Sequence, residues 1–66
     1  MNTEKLKKKI EESGYKSVYI ANQMGITAQA LLNKLHGKSE FKISEIQILK
    51  KLLALSADET HEIFLI

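Results

Sequence analysis

Three glycines, at positions 14, 25 and 37, cut the first half of a proline-free chain into three short segments. With no proline to lock or kink the backbone, each segment is free to form a regular element, and each glycine marks a place where one stops. The apolar residues then decide the type, because they recur at three- and four-residue spacing, which is the period of a helix. From Thr3 to Ser13, Leu6 and Ile10 share one face; Asn2 is suited to cap the start, Glu4 sits in the positive first turn, and Gly14 ends the segment. From Ser17 to Met24 the stripe is Ile20, Ala21 and Met24, and Val18 is expected to join it. From Ala28 to about Leu35 it is Leu31 and Leu35, with Thr27 as N-cap and Gly37 as stop.

The second half carries its own start signals. His36 to Ile43 is a polar loop except for Phe41, an aromatic expected to pin the loop to the core. Ser44-Glu45-Ile46-Gln47 fits a capping box, flanked by Ile43 and Ile48 as a hydrophobic staple. Ile46, Leu49, Leu52 and Leu53 continue at helical spacing. Ser56-Ala57-Asp58-Glu59 is a second capping box, opening a short fifth helix. The chain ends Ile63-Phe64-Leu65-Ile66, four apolar residues that must pack on the core or on a partner. The expected fold class is therefore all-α: five short helices in a single domain spanning residues 1–66.

Composition narrows what such a domain does. A chain of 66 residues buries only about 60% of the surface that its unfolded form exposes. Absence of cysteine excludes disulfides, thiolate zinc sites and thiol chemistry as a remedy. No apolar run reaches the ~20 residues of a membrane span, and the Lys-rich start lacks a signal-peptide core; the chain reads as cytoplasmic, without membrane contact. The only histidines, His36 and His61, are too far apart in sequence to suggest a metal site, and no nucleophile–histidine–acid set stands at a recognisable spacing. The expectation is a non-enzyme with no cofactor, no metal and no small-molecule ligand. Net charge is +2, and all ten basic residues are lysine. Cations without a guanidinium fork suit phosphate oxygens better than the bidentate reading of guanine. The run Lys5, Lys7, Lys8 and Lys9 reads as a solvated helix face.

Residues 17 to about 36 hold the most specific pattern. Ala21 precedes Gly25 by four residues and Leu31 follows it by six. Two helices that cross steeply need a small residue at closest approach, which Ala21 supplies. The tight turn needs a backbone that tolerates positive φ, which Gly25 supplies. Ile20, Met24, Ile26 and Leu31 would fill the wedge between the helices, giving helix-turn-helix geometry.

The stretch Ile20-Ala21-Asn22-Gln23-Met24-Gly25-Ile26-Thr27, followed by Leu31, resembles the Cro/C1-type, lambda-repressor-like helix-turn-helix regulators of phages and bacteria. The continuation Lys34-Leu35-His36-Gly37-Lys38-Ser39-Glu40-Phe41, then Ser44-Glu45-Ile46, is similar to the short Cro-like proteins of low-GC Gram-positive phages. The resemblance covers about Leu6 to Phe64. It implies sequence-specific binding of double-stranded DNA at an operator, transcriptional regulation as a Cro-like repressor, and a homodimer on a two-fold site. It also implies base contacts at Ala28, Gln29, Leu32 and Asn33, on a helix spanning 28–35 in the major groove. Gln29 and Asn33 suit adenine, and Ala28 or Leu32 suits a thymine methyl, an A·T-leaning target. Phosphate contacts are expected from Lys16, Ser17, Thr27, Lys34, Lys38 and Ser39, which flank that helix. Phe64, Leu65 and Ile66 are the expected dimer interface.

The chain departs from the family in two places. Lys16 and Ser17 stand where many members have Thr and Gln, and the recognition segment has no Arg. The alternative reading is a protein-interaction module, antirepressor- or antitoxin-like, that binds another regulator through its apolar C-terminal tail.

Overall fold

A computed structural model describes residues 1–66 and contains five helices and no strand. They are α1 (Thr3–Ser13), α2 (Ser17–Met24), α3 (Ala28–Leu35), α4 (Ile43–Leu52) and α5 (Ala57–Phe64). No helix is long and apolar enough to cross a membrane.

Local chemistry sets most of the ends. Asn2 Oδ1 accepts from the Lys5 N–H at 3.1 Å, and the Thr27 hydroxyl accepts from the Ala30 N–H at 3.1 Å. At α5 both halves of the box form: Ser56 Oγ accepts from the Glu59 N–H at 3.0 Å, and Glu59 Oε1 from the Ser56 N–H at 2.9 Å. Gly25 closes α2 in the left-handed region at φ 72°, and the Ile26 N–H reaches back to the Ala21 carbonyl at 3.0 Å. That geometry turns the chain directly into α3.

The start of α4 corrects the expectation. Its cap is Lys42, two residues before Ser44, so the predicted Ser44–Gln47 box does not form. Lysine has no acceptor atom, so only the reciprocal half exists: Glu45 Oε1 accepts from the Lys42 N–H at 2.8 Å. Ile43 is accordingly exposed and makes no staple with Ile48, which packs against the core instead. The end of α4 has no glycine. Ala54 adopts φ 53°, and the Leu55 N–H closes on the Lys50 carbonyl at 2.9 Å. This fold-back buries Leu55.

One core joins all five helices. Leu6, Ile20, Leu31, Leu49 and Ile63 are its fully buried centre, one from each helix. Ile26, Phe41, Leu52 and Leu53 pack around it. α2 packs on α3 and α4, and α1 on α5. Phe41 anchors its loop as expected, meeting Phe64 edge-on at 5.6 Å between centroids. The α1 lysine face is partly committed: Lys5 pairs with Glu62 and Lys9 with Glu59, tying α1 to α5.

Candidate nucleic-acid interface

α2 and α3 form the helix-turn-helix unit, and their contact is why its outer face is available. Ala21 is 1% exposed and is buried in the same core as Ile20, Met24 and Leu31. The inward stripe of α3 is thereby consumed. Its opposite side presents exposed Gln29 and Leu32, with half-buried Ala28 and Asn33 beside them. The structure thus gathers the four expected base-contacting residues on one accessible side of one helix. Gln29 Nε2 donates to Asn33 Oδ1 at 3.1 Å across one helical turn.

The expected phosphate set divides. Lys16, Thr27, Lys38 and Ser39 are exposed, and Ser17 is half-buried at the first position of α2. No side chain caps α2, whose N-cap is the exposed Lys16, so its leading N–H groups have no side-chain acceptor. Thr27 spends its oxygen lone pair on Ala30 yet keeps its O–H to donate.

Lys34 leaves the set. Its side chain is only 10% exposed, and its ammonium lies 3.1 Å from Glu45 Oε1 and donates to the Glu40 carbonyl at 2.9 Å. The same ammonium lies 5.9 Å from the centre of the Phe41 ring. Lys34 is on the side of α3 that faces the start of α4, so its charge is spent inside the protein. Burial pushes the Glu45 carboxyl up, but the Lys42 N–H and the Lys34 ammonium outweigh it, and the group lies below its usual range.

Two further corrections concern apolar residues. Val18 does not join the α2 stripe; it is 68% exposed. Phe64 belongs to the core, 8% exposed against Phe41, and is withdrawn from the expected dimer interface. Leu65 and Ile66 do stand exposed, and Ile66 shares an open groove with Met1 and Ile43.

Sequence reasoning missed the residues between the two helix starts. An open groove there is lined by Tyr15, Lys16, Val18, Tyr19, Thr27 and Ala28, among others. The Tyr15 and Tyr19 rings lie 5.0 Å apart at the groove. Their four-residue spacing, with neither ring required by the buried stripe, was the available signal. A second signal was equally plain: residues 13 to 39 contain none of the eight acidic residues, all of which lie in α1 or from Glu40 onward. The helix-turn-helix unit is therefore free of carboxylates of its own.

The chain matches no known protein-family model, no curated protein and no solved structure.

Proposed function

We propose that this domain binds double-stranded DNA through the face formed by α2 and α3. The observation that carries the reading is the acid-free helix-turn-helix unit: a helix side bearing two amides and two apolar side chains, flanked by Lys16 and Lys38. Such a face offers cations to phosphates and hydrogen-bonding amides to base edges, without carboxylates to repel the backbone.

Within that class, the particular role proposed is a Cro-like regulator that occupies an operator and represses transcription. Its resemblance to Cro/C1-type proteins from Ile20 to Leu31 supports this reading. α3 enters the major groove, with Ala28, Gln29, Leu32 and Asn33 at base edges. Lys16, Ser17, Thr27, Lys38 and Ser39 hold the flanking phosphates. The test is binding-site selection from random duplex DNA at two salt concentrations. An enriched motif leaning to A·T, with affinity falling as salt rises, supports the reading; salt-dependent binding without any motif removes the operator role.

The exposed apolar side chains of Met1, Ile43, Leu65 and Ile66 favour a second reading alongside the first. They would contact another protein, either a second copy on a two-fold operator or a separate regulator. Sedimentation of the wild type and of Ile43→Glu, with and without DNA, tests it. A complex that dissociates in the variant supports the contact. Identical monomers throughout remove the second-copy version.

A further inference from the structure

With Lys34 held inside the protein, two exposed lysines, Lys16 and Lys38, remain in the proposed phosphate set. Each cation seated on a phosphate contributes about −0.9 to the salt slope, so raising salt from about 50 to about 200 mM weakens binding through this pair only about tenfold. A face that neutralised about 6–10 phosphates would lose about a thousandfold or more over the same range. Firm seating on a duplex therefore needs contacts that carry no charge.

The groove between the starts of α2 and α3 offers them. Both phenylalanines pack in or against the core, whereas both tyrosines stand at the surface: Tyr15 and Tyr19 line the groove, 41% and 43% exposed, with exposed Val18 beside them. Their placement is set before any partner arrives. Gly14 turns the chain at φ 77°, the Tyr15 N–H donates to Ser13 Oγ at 3.1 Å, and that hydroxyl donates to the Ile10 carbonyl at 2.5 Å. Tyr19 stands on the first turn of α2, and the two rings lie against each other, tilted by 34°. A phenol side chain has only two torsions, so rings ordered in advance lose little freedom on binding. No hydrogen bond within the protein uses either hydroxyl.

The lining selects the occupant. No carboxylate lines the groove and Lys16 does, so the rings sit where an anionic partner is favoured. The groove is also lined by Thr27 and Ala28, the residues proposed to meet a phosphate and a base edge. The anionic chain that lies beside a base edge is the sugar–phosphate strand carrying that base. Its deoxyribose offers carbon surface to a ring, and its phosphate accepts from a hydroxyl. We infer that the groove seats one backbone strand of the duplex, with the Tyr15 and Tyr19 rings against deoxyribose and their hydroxyls donating to phosphate oxygens. This rests on the DNA-binding reading above and adds to it a clamp that salt does not screen.

The test titrates a duplex that wild type binds, at several salt concentrations, with Tyr15→Phe, Tyr19→Phe, both together, Tyr15→Ala/Tyr19→Ala, and Lys16→Met for comparison. Phenylalanine keeps each ring, so Tm is expected to stay at the wild-type value. Each lost hydroxyl weakens binding about fivefold, the contribution of one net hydrogen bond. The salt slope stays unchanged, because a hydroxyl releases no counterion, whereas Lys16→Met lowers it by about one. Base preference also stays unchanged, because backbone contacts carry no sequence information. The double alanine variant, checked for folding by circular dichroism, loses the ring surface too and binds more weakly than the double phenylalanine variant. Wild-type affinity in the double phenylalanine variant overturns the inference, and so does a lowered salt slope or an altered motif. A wild-type oligomer that the double alanine variant breaks apart gives the groove to a second copy and overturns it as well. If wild type binds duplex and the hydroxyls do not matter, this inference alone falls; if wild type binds no duplex, the DNA-binding reading falls with it.

Discussion

Replacing Glu45 by leucine tests whether Lys34 belongs to the scaffold or to the proposed DNA-binding face. In the native domain the Lys34 and Glu45 side chains are 10% and 7% exposed, and Glu45 Oε1 also accepts from the Lys42 N–H. Removing the carboxylate leaves a shielded ammonium with only the Glu40 carbonyl, and leaves the first turn of α4 without its acceptor. Breaking such a pair from one side costs about 3–5 kcal/mol. The lower end applies, because Lys34 retains one partner and both groups lie near the edge of the core. At roughly 4–8 °C per kcal/mol for a domain of this size, a loss of about 3 kcal/mol lowers Tm by about 12–24 °C. The double variant Lys34→Met/Glu45→Leu removes both charges and fills the space with apolar atoms, so it recovers most of that loss. Thermal unfolding followed by circular dichroism at neutral pH reads both. DNA titrations add a second arm: Lys34→Met is expected to leave the salt dependence of binding unchanged, whereas Lys38→Met reduces the slope by about one. A Glu45→Leu cost below about 1 kcal/mol, or a Lys34→Met change in salt slope equal to that of Lys38→Met, would refute the assignment of Lys34 to the interior.

Three other outcomes follow from single features of the structure. Ala54→Gly relieves a left-handed alanine at the end of α4 and, after the entropy that glycine adds to the unfolded chain, stabilises by about 0.5–1 kcal/mol; a lower Tm would contradict the strain argument. Phe64→Ala empties a core site against Phe41 and costs about 3–5 kcal/mol, close to the whole stability of so small a domain. Deleting only Leu65 and Ile66 costs less than about 1 kcal/mol, and equal damage from the two changes would place the last residues in the core. Acid should loosen the contact of α1 with α5. The Lys9 ammonium, then the Ser56 N–H, holds the Glu59 carboxyl at about 2 instead of 4.5. A carboxyl depressed in the folded state adds stability that is present above its unfolded value and disappears as pH falls through the folded one. Tm is thus expected to decline between pH 4.5 and about 2, less so in Glu59→Gln; identical acid profiles for variant and wild type would remove Glu59 from that role.

Where short-range chemistry decides, the sequence was readable. Asn2, Thr27 and Ser56 cap helices because each sits within three residues of the N–H it satisfies, and Gly25 turns the chain because its backbone permits positive φ. The start of α4 was misread because the competing cap depends on a reversed contact: Glu45 reaches back to the Lys42 backbone, so the N-cap needs no acceptor of its own. Its end was unmarked because alanine, not glycine, takes the left-handed position. Val18 was misplaced because α2 has only two turns, too few apolar residues to define a face. Lys34 illustrates the larger limit. In sequence it is one more lysine, in the last turn of α3; only the approach of α4 brings Glu45 to it and turns a surface cation into an internal one. Phe64 was hidden for the same reason, since its partner Phe41 lies in a loop whose path no local signal defines.

The central claim is that α3 reads DNA by sequence, and selection from random duplex DNA tests it most directly. The expected result is one enriched, A·T-leaning motif. Affinity should fall with salt at a slope of about −2 per protomer, the value for the two exposed lysines, Lys16 and Lys38, assigned to phosphates. Substitution of Gln29 or Asn33 should then change the motif. Recovery of no motif, or a motif indifferent to both residues, would contradict the claim.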